Sequence, residues 1–498
     1  MKEESLRDKM VSGMYWTALQ KYSRMVVSFI SGLILARLLT PEDYGCIGML
    51  AIFMALSNTF IDAGFGSALI QKKRPTQTDY STIFFYNIGM ASFLYATLFF
   101  LAPSVARFYN ISQLCPILRV QALVLFIYAL NIIQHNILKK NLNFKILSKV
   151  SVVTSVVSLG VTIMLAYLGF GVWSLVAQNL ISAAVPASIF WFYVKWRPIP
   201  VFSWQSFREL FSFGSYMLLS HFVNTLGQQI QGMFIGKLFS PSTLGYYSKA
   251  FSTESMASHS ISYVFTQVTY PIYSEIQDNR EQLASVIKRL TITISYLTFP
   301  LMLLLMLLAK PLFLILYSER WLPSVPYFQV LCIVGISSCL QAVNTQSIAA
   351  IGRSRDMFVW TLFKRVIGSG SMLLGLFVFG MKGFLFGLVI YNYLAYFVNI
   401  ALVSKYIGYH WRDQIRNLMP VTIVSSLAVA VSYFSVSFMD VGIYVKAMAE
   451  LVVFLIVYIG WSLAFRPAAF IEILGFVPKL YKFLEKNTRF YVKGDSGY

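Results

Sequence analysis

Long apolar runs separated by short charged or turn-forming segments recur along the whole chain. Fourteen of them reach the roughly 20 residues that a bilayer crossing requires. They fall at 14–38, 44–66, 82–105, 114–138, 148–168, 171–194, 210–238, 244–272, 286–309, 326–351, 357–379, 383–403, 417–438 and 443–465. Most are plainly apolar, but the first, seventh and eighth are polar enough that a hydropathy average alone ranks them low. In the first, Thr17, Gln20, Lys21, Arg24, Ser28 and Ser31 recur at three- and four-residue steps. That spacing puts them along one helical face, with Met25, Val26, Val27, Phe29 and Ile30 covering much of the rest. A charge in a bilayer costs about 2.5–3.5 kcal/mol on insertion scales, so this face is expected to meet water or a partner rather than lipid.

The same design returns two hundred residues later. Gln20, Lys21, Arg24, Ser28 and Ser31 correspond to Ser220, His221, Asn224, Gln228 and Gln231. The following loop repeats as well, Leu35-Ala-Arg-Leu-Leu-Thr-Pro-Glu-Asp-Tyr-Gly45 against Ile235-Gly-Lys-Leu-Phe-Ser-Pro-Ser-Thr-Leu-Gly245. Further on, the tight turn Leu168-Gly-Phe-Gly-Val-Trp173 has its counterpart in Phe379-Gly-Met-Lys-Gly-Phe384. The repeat therefore extends over six spans in each half. The expected fold is an all-α integral membrane protein of about 14 transmembrane helices. Two six-helix lobes, 1–198 and 207–408, form a parallel repeat joined by a cytoplasmic linker at 199–206. An accessory hairpin at 409–465 and a basic amphipathic tail at 466–498 complete it.

Composition agrees with this reading. The chain is 57% hydrophobic and 12% charged, with a mean hydropathy of +0.66. Its net charge of +20 has a topological explanation: of the 40 lysines and arginines, 29 fall in segments on one side of the expected spans and nine on the other. The positive-inside rule then puts both termini in the cytoplasm, and no nucleic-acid partner is needed. No cleavable signal peptide is expected, because the first apolar run is long and polar-faced. Cys46, Cys115, Cys332 and Cys339 make no metal-binding or disulfide pattern.

Several polar groups interrupt the other spans. Asp62 ends the second, close enough to the basic loop Lys72-Lys-Arg74 to pair with it. Asn131, Gln134, His135 and Asn136 close the fourth, where His135 reads as an interfacial hydrogen-bonder. The eighth carries Lys249, Glu254 and His259. Lys364 and Arg365, inside the eleventh, either snorkel to the interface or line a cavity.

The chain contains no Walker loop, no GxSxG and no HExxH, and no segment outside the spans is large enough to fold as a catalytic domain. No enzymatic activity and no metal are expected. Direct six-span repeats are the mark of transporters that rock one half against the other. Exporters of cations and drugs need buried carboxylates, whereas the central spans here offer mainly bases, amides and hydroxyls. Guanidinium suits phosphate oxygens through paired hydrogen bonds, and amides and hydroxyls suit sugars. A purely structural use of the polar faces, as glue between lobes, is the competing reading.

The motif at Leu35–Gly45, with Asp62-Ala-Gly-Phe-Gly66 downstream, resembles the polysaccharide-export branch of the multidrug/oligosaccharidyl-lipid/polysaccharide superfamily. Within that branch the chain is similar to the Wzx-type flippases, especially the colanic-acid-exporter-like group. The resemblance implies alternating access that moves an undecaprenyl-pyrophosphate-linked oligosaccharide from the inner to the outer leaflet of the bacterial inner membrane. It implies no cofactor beyond coupling to H+ or Na+. The expected partners are membrane lipids, a polysaccharide polymerase and a chain-length regulator. An ion-coupled drug or cation antiporter and a lipid II flippase are the alternatives from the same superfamily. Lys21, Arg24 and Lys249 are the expected pyrophosphate ligands. Gln20, Ser28, Ser31, His221, Asn224, Gln228 and Gln231 would line the glycan cavity, and Asp62, Glu254 and His259 are candidates for ion or proton coupling.

Overall fold

The computed structural model describes residues 6–475, and every regular element among them is helical. The chain forms two compact units. One runs through Ser248 and takes in residues 316–321; the other holds the remainder, so the boundary falls inside a helix.

In chain order the first unit contains α1 (Leu6–Leu38), α2 (Pro41–Asp62), α3 (Phe65–Gln71), α4 (Gln77–Tyr109), α5 (Leu114–Gln121), α6 (Leu123–Lys140), α7 (Phe144–Tyr167), α8 (Val172–Tyr193), α9 (Trp204–Leu238) and the start of α10 (Pro241–Glu275). Here α1 lies along α7, α7 along α8, α8 along α6, and α9 along α2. Local chemistry sets where these helices begin. Thr40 accepts a hydrogen bond from the Asp43 backbone while Asp43 accepts one from the Thr40 N–H, and Pro41 occupies the first turn. Its counterpart Ser240 accepts from the Thr243 N–H at 3.1 Å, again ahead of a proline. The two repeated motifs meet each other. A Cβ on Gly45 would overlap the Pro241 carbonyl oxygen, and a Cβ on Gly245 would overlap the Pro41 carbonyl oxygen. The contact is reciprocal, and only glycine admits it.

Between α2 and α3 the chain breaks at Ala63 and Gly64, both at positive φ (43° and 76°). The α9 helix crosses this break closely, since a Cβ on Gly214 would lie 2.8 Å from the Ala63 oxygen. Lys140 fastens the end of α3, its ammonium donating to the carbonyls of Leu69, Ile70 and Lys72. Lys72 pairs with Asp79 at 3.1 Å and with Glu209 at 3.0 Å. Partial burial pulls its pKa down, but the two carboxylates prevail and raise it. The expected pairing of the basic loop with Asp62 is thus replaced by Asp79 and Glu209. The buried Trp321 closes the other end, donating from Nε1 to the Ala36 oxygen at 2.7 Å with the Tyr44 ring set edge-on at 5.4 Å.

The second unit holds the rest of α10, then α11 (Arg280–Leu307), α12 (Ala309–Leu316), a 3-10 turn, α13 (Val325–Ala350), α14 (Ser354–Ile407), α15 (Trp411–Ser437), α16 (Ile443–Phe465) and α17 (Ala468–Gly475). Among these, α13 packs against both α11 and α14. Gly380, at φ 64°, breaks α14, and Gly375 and Gly383 approach so closely that neither has room for a Cβ. The repeat's other tight turn, Gly169–Gly171, likewise uses positive φ. α16 is tied to α11 by Tyr296 donating to Ser462 at 2.6 Å and Tyr458 donating to the Tyr296 oxygen at 2.8 Å. α17 docks on α11 through Glu472, which pairs with Arg289 and accepts from Thr293. Of the amphipathic tail expected at 466–498, residues 476–498 lie outside the described residues.

Ten stretches of described helix are long and apolar enough to cross a membrane, and one of them, Val359–Ile407, contains the Gly380 break. The polar α1, α9 and α10 are not among the ten, as their sequence pattern leads one to expect. The protein is a multi-pass, all-helical membrane protein.

Candidate functional site

The first unit contains a cavity of about 240 Å³ between α1, α6, α7 and α8. Gln20 and Arg24 reach it from α1, one turn apart on the polar face. Asn131 and His135 come from α6, Ser151, Thr154 and Ser155 from α7, and Ser182 from α8; Phe190 and Pro186 give it an apolar side. No carboxylate lines it. Thr154 and Ser155 donate to the carbonyls of Val150 and Ser151, which leaves their oxygen lone pairs toward the space. The guanidinium of Arg24 is exposed. An arginine with two amides, an imidazole and a set of hydroxyls suits an anionic or sugar-like group and lacks the counter-charge a cation would need.

A second cavity of about 270 Å³ adjoins it and shares Asn131 and His135. Asp62, Ser67, Tyr128, Asn136 and Lys139 line the rest. The Asp62 carboxylate lies beside the start of α3, its Oδ1 3.0 Å from where a Cβ on Gly66 would sit, and it faces the cavity. Asn131 Oδ1, between the two spaces, is buried and finds no protein partner.

The other expected residues distribute unevenly. Lys21 is half-buried and is not part of either lining, Ser28 is exposed, and Ser31 is buried at 7% exposure. On α9, His221, Asn224 and Gln228 are exposed and Gln231 is half-buried. The adjacent face of that helix packs on α2, with Thr225 3.3 Å from Thr59 and the Phe222 ring 5.6 Å from Phe60. So α9 does present an open polar stripe, but the helix it leans on is α2, while α1 leans on α7. In the second unit, Lys249 and Glu254 are both turned inward, at 6% and 4% exposure, whereas His259 is exposed. Lys249 is therefore not in contact with open water in this conformation.

One feature of the site went unmarked in the sequence. The hydroxyls of α7 and α8 are scattered through spans that read as apolar, and only their shared orientation makes them a lining. Lys364 reaches across its bundle to donate to Asn399 Oδ1 at 2.7 Å, and Asn399 in turn donates to Gln341 at 3.4 Å. Of the two readings for Lys364, snorkelling or lining a cavity, the structure shows only this: the half-buried ammonium is held by Asn399.

The fold defines the class, a multi-helix membrane protein built like known transporters. It is similar to the lipid II flippase MurJ in its inward closed conformation, at a TM-score of 0.70 over 91% of this chain and 100% of that one, with 14% identity. It is also similar to a multidrug resistance MATE family transporter of the MOP superfamily, at 0.59 over 77% and 94%, with 17% identity. The chain belongs to the polysaccharide biosynthesis protein family, whose pattern matches residues 34–326. Its relatives include the teichuronic acid biosynthesis protein TuaB of Bacillus subtilis, 26% identical over 72% of this chain and 74% of that protein. The lipopolysaccharide biosynthesis protein WzxC of Escherichia coli is 23% identical over 86% and 88%. The succinoglycan biosynthesis transport protein ExoT of Rhizobium meliloti is 25% identical over 72% and 73%.

Proposed function

We propose that the protein flips undecaprenyl-pyrophosphate-linked oligosaccharide repeat units from the inner to the outer leaflet of the bacterial inner membrane, for surface polysaccharide assembly. The observation that carries the reading is the cavity lined by Arg24, Gln20, His135 and hydroxyls with no carboxylate among them. Family membership and a transporter fold agree with it. In this scheme the chain crosses the bilayer fourteen times, because α1, α9 and α10 insert despite their polar faces and α14 crosses twice around Gly380. Both termini lie in the cytoplasm, and two six-span lobes alternate access. Arg24, assisted by Lys21, holds the pyrophosphate through charge-assisted hydrogen bonds. Gln20, Ser28, Ser31 and the open α9 stripe of His221, Asn224, Gln228 and Gln231 contact the glycan, while the polyprenyl tail stays in lipid. Lys249 joins the phosphate ligands only in a conformation that uncovers it. The polymerase and the chain-length regulator that extend the flipped unit are the partners this role calls for.

The test is Arg24→Ala and Lys21→Ala in cells lacking the wild-type copy, with protein abundance measured alongside surface polysaccharide. Loss of polysaccharide at normal abundance, with lipid-linked intermediates accumulating on the inner leaflet, is the expected result. Normal polysaccharide from both variants at normal abundance refutes the assignment.

A further inference from the structure

Among the described residues, Glu254 is the one carboxylate with a buried oxygen that has no hydrogen-bond partner. It is 4% exposed in the second unit, and its Oε1 atom is buried without a hydrogen-bond partner. The side chain's hydrogen bond is to Ser258, one turn along α10 and equally buried. Facing it on α13 is Gly335, where a Cβ would overlap Oε1 and lie 3.3 Å from the sulfur of Met302 on α11. The carboxyl group thus fills a notch that exists only because residue 335 has no side chain. Among the described residues, ionisable groups near it include two thiols of α13, Cys332 and Cys339, the latter donating to the Ser258 carbonyl at 3.4 Å. On its own helix, Lys249 and His259 lie five residues away on either side, which on an α-helix turns them off the Glu254 face. Among the described residues no ion pair joins Glu254 to a basic side chain.

An ionised carboxylate with no cation and one unbonded oxygen carries a desolvation cost that the single bond to Ser258 offsets only in part. A bound proton removes it. A hard metal cation requires several oxygen ligands, whereas this notch offers one carboxyl, one hydroxyl and sulfur. Among the described residues there is no group of three or more His, Cys, Asp or Glu able to hold a metal.

We propose that Glu254 is a proton-binding site. It sits in the Gly335 notch as the neutral acid, and it releases its proton to water when α10 moves away from α13. The O–H bond of the acid breaks, the proton passes to water, and the freed carboxylate is stable only while hydrated. Each return to the notch then requires a proton to be taken up, which ties the conformational cycle to the proton gradient. This last step rests on the transport reading; the protonation itself does not.

The experiment uses the full-length protein in vesicles of phosphatidylethanolamine and phosphatidylglycerol. Infrared difference spectra between acid and alkaline media should contain the carbonyl stretch of a buried protonated carboxyl. That band should be lost in Glu254→Gln and shifted in Gly335→Ala, whose added methyl displaces the carboxyl from its notch. No such band in the wild type, or a band unchanged by Glu254→Gln, overturns the proposal. A sodium-dependent signal in place of the carboxyl band overturns it too. Cells carrying Glu254→Gln at wild-type abundance should lose surface polysaccharide. A band lost in vitro with normal polysaccharide in cells overturns the coupling step alone, and the Arg24→Ala result shows separately whether the flippase reading stands.

Discussion

The reciprocal contact between Gly45 and Pro241 and between Gly245 and Pro41 can be tested by adding one carbon at a time. Gly45→Ala places a methyl group that intrudes by roughly 1 Å on the Pro241 carbonyl oxygen. Neither partner is the flexible end of a side chain, so the two helix starts must separate. Overpacking of this kind costs about 1–3 kcal/mol, equivalent to about a 5- to 150-fold rise in the population of the opened contact. The protein carries its own reporter in Cys46, next to Gly45 and 2% exposed. In a Cys115→Ser background, which removes the half-buried thiol, the rate of Cys46 alkylation should rise by that factor in Gly45→Ala. Gly245→Ala should do the same from the other side. Because both methyl groups relieve themselves by the same separation, the double variant should open little further than the more open single variant, a strongly non-additive cycle. Unchanged Cys46 labelling in both single variants, or effects that simply multiply in the double variant, would show that the two motifs do not meet as described.

Two further substitutions probe the ends of the first unit. Asp79→Ala removes a buried carboxylate that caps α4 through Thr76 and pairs with Lys72; losing the cap should destabilise by about 0.5–2 kcal/mol, read as a lower unfolding midpoint in detergent, with Lys72→Ala costlier because it leaves the buried Asp79 carboxylate without its cation. Trp321→Phe keeps an aromatic ring but strips the Ala36 carbonyl of the donor it has at the end of α1, and should lower the same midpoint by an amount equivalent to about 1–3 kcal/mol.

The repeated loop motif was readable in the sequence because it rests on residues with strong local rules. The hydroxyl-Pro-x-x-x-Gly motif encodes a cap, a first-turn proline and a close approach, and the structure realises all three twice. The polar stripe of α1 was readable for a similar reason, since helical spacing is visible in a linear sequence. What was not readable is which surface each stripe meets. Lys249 and Glu254 look like cavity residues in a sequence, but helix rotation turns both inward. Asp62 looks like a partner for a basic loop, yet Lys72 of that loop pairs with Asp79 and Glu209, and Asp62 faces a cavity instead. The hydroxyls of α7 and α8 were hidden because a Ser or Thr that bonds the carbonyl one turn back hardly disturbs an apolar helix. His135 drew little attention alone; its place at the junction of two cavities depends on four helices at once.

Contact between two copies of one motif, in which each residue meets its own counterpart's neighbour, has the symmetry of an isologous interface. Each side of this contact is supplied by one hydroxyl-Pro-x-x-x-Gly turn, as each side of a two-fold dimer interface is supplied by one chain. Joining the halves makes that encounter intramolecular and frees each copy to change. In α9 the bases of α1 have become His221 and Asn224, an asymmetry that no homodimer could acquire.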